Sequence, residues 1–239
     1  MFGNTFLKAK WQNLVMANYE VSPEILKKHL PYKTELDFWN GRCYVSLVGF
    51  QFIDTQVLGI KFPFHTNFEE VNLRFYVRYN DNGEWKRGVV FVKEIVPKAM
   101  ITLIANSLYR ENYATHPCNH KIITDNHEIS AQYEWKSRSG WNSLQVWSDL
   151  TPQTISLGSE EEFITEHYWG YAAYSTQKTN EYQVQHPRWL VHRVNKYQIL
   201  CNFEELYGKE FAFLKDKQPI SVLHAQGSEV AVLKGKIIT

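Results

Sequence analysis

Phe68-Glu69-Glu70-Val71-Asn72-Leu73-Arg74-Phe75-Tyr76-Val77-Arg78 is the stretch that decides the fold class of this 239-residue chain. From Glu70 onward it alternates with period two, the side-chain period of a β-strand. Glu70, Asn72, Arg74, Tyr76 and Arg78 share one face, and Val71, Leu73, Phe75 and Val77 share the other. Two arrangements suit such a strand. In one the polar face meets water, as in most antiparallel sheets. In the other it turns into the hollow of a closed sheet, where two guanidinium groups, an amide, a phenol and a carboxylate converge on a ligand. Arginine suits that second task, because its planar fork holds a carboxylate through two parallel hydrogen bonds while a neighbouring glutamate balances its charge.

Working outward, Asn80-Asp81-Asn82-Gly83 is a strong turn that joins residues 70–78 to residues 86–96 as an antiparallel hairpin. Asn40-Gly41 leads into a strand over 42–54 that is dense in Tyr, Val, Leu, Ile and Phe. Residues 121–124, 128–136 and 141–147 have the spacing of a meander, and residues 219–238 read as two strands around Gly227-Ser228. Helices are few. Ser22 and Pro23 can open a short one that Pro31 stops, and Pro97 opens another through about Tyr109. Ser159 and Glu162 have capping-box spacing ahead of a helix over 160–168, and a last helix follows Asn202 through Phe211. Strands outnumber helices, and their connections are hairpins rather than βαβ crossovers. With no repeat or linker to divide residues 1–239, the expectation is a single mainly β (α+β) domain: an antiparallel β-barrel, or else a sandwich, flanked by a few short helices.

Composition excludes several functions. Hydrophobic residues make up 44% of the chain, and 26 basic residues nearly cancel 25 acidic ones, which argues against a disordered chain. A formal charge of +1 gives no general attraction for nucleic acid or anionic lipid. The first ten residues lack the apolar core of a secretory signal, and no run approaches a membrane span. Cys43, Cys118 and Cys201 are few and widely spaced, as expected for reduced thiols in a cytoplasmic protein. There is no Walker loop, dinucleotide fingerprint, nucleophile elbow or His-Glu-x-x-His, so no cofactor is expected. His116-x-Cys118-x-His120 could present zinc-type ligands on one face of an extended segment. It lacks a second ligand pair, and no metal site is assigned to it.

Several segments in order carry a family resemblance: Trp11-Gln12-Asn13-Leu14, Val45-Ser46-Leu47-Val48-Gly49-Phe50, Pro63-Phe64-His65, the run from Phe68 to Arg78, and Gly88-Val89-Val90-Phe91. Together with the segment at 161–168 and His186-Pro187-Arg188-Trp189, they resemble the uncharacterised YqjF-like family, which is similar to the acetoacetate decarboxylase-like superfamily. The resemblance implies an antiparallel barrel around a polar pocket, and it is this, not the alternation, that turns Glu70, Arg74 and Arg78 inward. The decarboxylase's active-site glutamate carries over to Glu70, and Arg110-Glu111 looks like its Arg-Glu pair. Its Schiff-base lysine has no counterpart, because no lysine lies between Lys98 and Lys121. Arginine stays protonated and cannot replace it.

The resulting expectation is a barrel that binds a small carboxylate or keto acid, with no nucleic-acid or membrane partner; a homo-oligomer is compatible with it. Glu70, Arg110 and Glu111 are the candidate catalytic residues, in acid–base, lyase-like chemistry without a Schiff base if the protein is an enzyme. Asn72, Arg74, Tyr76, Arg78, His65, Tyr113, His186 and Trp189 are the candidate ligand contacts. The competing expectation is a non-catalytic interaction protein whose polar strand forms a buried ion network.

Overall fold

The computed structural model describes residues 5–239. From its start, β1 (Thr5–Glu20) leads through α1 (Pro23–Lys27) and β2 (Thr34–Leu36) into three long strands, β3 (Tyr44–Val57), β4 (Phe68–Asp81) and β5 (Glu84–Val96). Helix α2 (Ala99–Leu108) and β6 (Tyr113–Thr115) precede the meander β7 (Cys118–Thr124), β8 (Ile129–Ser137) and β9 (Gly140–Ser148). The chain then forms β10 (Gln153–Thr154), α3 (Glu160–Thr165), β11 (Trp169–Ser175), β12 (Lys178–Gln185), β13 (Leu190–His192) and β14 (Val194–Leu200). It ends with α4 (Phe203–Tyr207), a 3-10 helix (Lys209–Asp216), β15 (Ser221–Leu233) and β16 (Lys236–Ile238).

The strand-rich fold with few short helices is as expected. The larger sheet is ring-like: hydrogen bonding runs from β15 through β1, β3, β4, β5, β11 and β12 and back to β15. Most neighbours are antiparallel. The pairing of β5 with β11 is parallel, over Trp169↔Gly88 and Gly170↔Val89. A second sheet, ordered β14, β9, β8, β7, lies against the outside of the ring. Tyr133, Trp135, Leu144 and Val146 from that sheet share a core with Val45, Leu47, Val71, Leu73, Phe75 and Val77. Each of those four β4 side chains is fully buried, worth roughly 2 kcal/mol apiece, and together they fix which face of β4 turns outward to the second sheet. The polar face has to point into the ring.

Three local readings change. The segment around Gly227 is no hairpin, since β15 runs straight through it and pairs Gly227 with Gln12. Glycine is required there for another reason: at φ +80° a Cβ would sit 2.1 Å from the Trp11 carbonyl oxygen. Helix α3 stops at Thr165, so His167 and Tyr168 lie beyond it, ahead of β11, and α1 ends at Lys27 rather than just before Pro31. The capping at Ser159 is as the spacing suggests, its hydroxyl accepting from the Glu162 N–H at 3.2 Å.

Candidate functional site

Inside the ring lies a cavity of about 130 Å³, room for roughly ten waters. Its walls are mostly apolar, with Trp11, Phe50, Phe52 and Phe68 along one side and α2 covering an end through Ile101 and Ile104. Polar groups enter from β4, β5 and the segment after α2. Glu70 is 2% exposed, accepts from the Asn72 amide at 2.9 Å and accepts from the Tyr113 hydroxyl at 3.0 Å. Glu111 accepts from the Tyr182 hydroxyl at 2.7 Å. Glu94 is the direct cross-strand neighbour of Asn72, is 2% exposed, and its Oε2 has no partner among the described residues.

These three acids resist ionisation. Burial, only partly offset by their hydrogen bonds, pushes Glu70 and Glu111 up to about 7. Burial and the charges of Glu111 and Glu70 hold Glu94 well above the usual carboxylate range. Burial also raises the Tyr113 and Tyr182 phenols, so both stay neutral donors. The cavity therefore holds exchangeable protons near neutrality, the condition for general acid–base work.

Among the described residues, Arg74 is the one guanidinium on the cavity wall. Its Nη2 donates to the Ile164 carbonyl at 3.2 Å and lies 3.6 Å from the Met16 sulfur, while its buried Nε has no partner among the described residues. It forms no ion pair with a described residue, which leaves a cation turned toward a largely apolar space.

The expected site residues divide cleanly. Glu70, Asn72, Arg74, Glu111, Tyr113, His186 and Trp189 all line the cavity, with the His186 and Trp189 rings stacked 4.1 Å apart. Four do not. Arg78 lies outside the cavity lining and pairs with Glu35 of β2 at 2.5 Å, its guanidinium over Trp85. Tyr76 is buried, but its hydroxyl meets Ser46 at 2.7 Å and its ring packs on Phe163 and His167. Arg110 is exposed, at φ +58°, over the Tyr174 ring. His65 sits in a surface turn, its Nδ1 2.8 Å from the Pro63 carbonyl oxygen. The His116–Cys118–His120 side chains are engaged separately, with Lys136, with the His116 carbonyl, and with Glu69 and Gln51.

Glu94, Tyr182 and His167 are site residues that sequence patterning does not mark. For Glu94 the cause is a single bulge. The Asp81↔Glu84 turn register, continued unbroken, would set Lys93 opposite Asn72, but the ladder slips by one residue between Arg74↔Phe91 and Leu73↔Lys93. A one-residue slip exchanges the two faces of a strand. Glu94 consequently enters the cavity, while Lys93 turns out and its ammonium donates to the Leu206 carbonyl.

Among the described residues, the strand ring holds a buried acid cluster and an arginine without an ion pair, and no lysine lines its cavity; the fold is similar to that of acetoacetate decarboxylase-like proteins. The chain belongs to the family described as an uncharacterized conserved protein, DUF2071, whose model matches residues 8–229. It is similar to the uncharacterized protein YqjF of Bacillus subtilis (strain 168), 22% identical over 191 residues, covering 79% of this chain and 76% of that one. Among solved structures it is similar to acetoacetate decarboxylase from Legionella pneumophila, with a TM-score of 0.67 at 12% identity, covering 98% of this chain and 87% of that one. An acetoacetate decarboxylase-like enzyme from Sphingomonas wittichii RW1 gives 0.66 at 10% identity, covering 99% and 94%. The enduracididine biosynthesis enzyme MppR complexed with pyruvate gives 0.66 at 10%, covering 98% and 90%. At these identities the structural likeness concerns the fold. No helix of the described residues is long and apolar enough to cross a membrane.

Proposed function

We propose that the chain binds a small organic carboxylate, keto acids included, inside the ring, with the acid group on Arg74 and the apolar body against the aromatic wall. The observation that carries this reading is the Arg74 guanidinium, which faces the cavity with its Nε unpaired. The side chain is half-buried, but its Nε is buried, and a buried donor left without an acceptor is costly, so an anion that supplies the acceptor is favoured. MppR, a protein similar in fold, forms a complex with pyruvate, which supports the same ligand class.

In this reading Glu70 exchanges a proton with the bound acid, because a carboxyl held near 7 is both a competent donor and a competent acceptor at neutral pH. Tyr113 and Asn72 position it. This reading uses no Schiff base, since among the described residues no lysine lines the cavity and Lys93 points the other way. We place the protein in the cytoplasm, a reading supported by its three unpaired cysteines.

The test is thermal stability against a panel of small carboxylic and keto acids. Arg74→Ala is expected to abolish any ligand-induced rise in Tm. Arg78→Ala, which removes only an exposed ion pair, is expected to keep it. A rise that survives Arg74→Ala removes Arg74 from the site, and a panel without hits removes the function.

A further inference from the structure

The cavity wall also carries a pair of residues that the proposed binding role does not use. His167 is 7% exposed and lines the cavity beside Arg74. Its Nε2 lies 3.2 Å from Asp37 Oδ2, and the same oxygen accepts from Arg87 Nε at 2.6 Å. Its Nδ1 is buried and has no partner among the described residues. The proton on the ring can therefore be placed. Burial pushes the Asp37 carboxyl up, but the hydrogen bonds from His167 and Arg87 outweigh it, so the group stays ionised and can only accept. Nε2 must carry the hydrogen that meets it. Burial lowers His167 to about 4, so at neutral pH the ring has no second proton and Nδ1 presents a bare lone pair.

Asn72 shows the same deficit. Its Nδ2 donates to Glu70, which fixes its Oδ1 as an acceptor, and that oxygen too is buried without a partner among the described residues. Asn72 precedes Arg74 by two positions on the inner face of β4. Among the described residues, the cavity lining thus contains two acceptors in want of a proton and one donor, Arg74 Nε, in want of an acceptor.

We infer that the cavity selects an acid bearing its own hydrogen-bond donor, a 2-hydroxy acid over the corresponding 2-oxo acid, with His167 Nδ1 accepting a hydrogen bond from the hydroxyl and Asp37 as the positioning residue that fixes the imidazole tautomer. A carbonyl oxygen at that place would meet a lone pair; a hydroxyl meets an acceptor. The inference rests on the Arg74 binding role proposed above.

The experiment titrates matched acids, lactate against pyruvate and 3-phenyllactate against 3-phenylpyruvate, into the full chain by calorimetry. The hydroxy acid is expected to bind at least about tenfold more tightly, the factor associated with leaving one buried acceptor unpaired. In His167→Leu the two affinities should converge to within about twofold, and in His167→Gln, which keeps an acceptor, the preference should persist. Asp37→Leu supplies the sharper readout. It removes the acceptor that fixes the hydrogen on Nε2, so the imidazole can carry its proton on either nitrogen and the preference for the hydroxy acid should fall, while Asp37→Asn, whose amide oxygen can take the place of Oδ2 and accept from both Arg87 and Nε2, should keep it. A structural role for Asp37 would weaken both acids alike. Equal binding of both members of each pair to the parent chain overturns this inference and leaves the Arg74 role standing. Failure of all four acids to bind overturns both.

Discussion

Replacing Glu111 with glutamine should make the protein more stable in mild alkali than the parent chain. Glu111 keeps one hydrogen bond that glutamine can reproduce, since Gln Oε1 accepts from Tyr182 as the carboxylate does. What the substitution removes is the resistance to ionisation. A carboxyl held near 7 in the fold and near 4.5 in the unfolded chain leaves the folded state binding more protons across that interval. Stability must then fall as pH rises from about 4.5 to 7, and the full loss is present above 7. At about 1.4 kcal/mol per pH unit the interval corresponds to about 3 kcal/mol, or roughly 6–12 °C in Tm for a chain of this size. Urea unfolding followed by tryptophan fluorescence at several pH values between 4.5 and 8 gives the comparison. Glu111→Gln should match the parent at the acid end and exceed it by an increasing margin toward pH 8. A difference that does not change with pH, or a variant weaker than the parent at pH 8, would refute the placement of this carboxyl in a dry acid cluster.

Two further outcomes are expected. Borohydride added with acetoacetate should leave the mass of the protein unchanged in intact mass spectrometry, because no lysine among the described residues lines the cavity; an adduct on any lysine would reverse the conclusion about the nucleophile. Gly227→Ala should cost at least about 2 kcal/mol in urea unfolding, because the new methyl group meets the Trp11 carbonyl at a backbone angle side chains avoid. A loss below about 0.5 kcal/mol would mean that β1 and β15 can part there without penalty.

Glu70, Asn72 and Arg74 of the inner wall are legible in the sequence because they are built on β4, where polar and apolar residues alternate without interruption and a strong turn announces the hairpin. Other elements lack such marks. β1 carries two irregularities in its pairing with β3, and Asn13 sits at φ +51° within one of them, so its alternation breaks in the middle of the strand. β11 and β12 are joined through Thr176-Gln177, which contains neither glycine nor asparagine to signal a turn. The inward reach of β4 is overestimated for a different reason. Periodicity gives Arg74 and Arg78 the same face, but it is silent on where the hollow ends. Phe163 and Ile164 fill the space beyond Arg74, and β2 sets Glu35 directly across from Arg78. His167 is unreadable in principle, because its partner Asp37 lies 130 residues away.

The ring is sewn unevenly. The hairpin of β11 and β12 meets β5 through two residue pairs and β15 through two more, whereas β1, β3, β4 and β5 are joined along most of their lengths. That hairpin also carries Tyr182, the group that holds Glu111. Short ladders open at the lowest free-energy cost, so amide exchange should be fastest at those two seams. Parting of either seam would also loosen Tyr182 from Glu111, so the protonation of that carboxyl is tied to how firmly the ring is stitched.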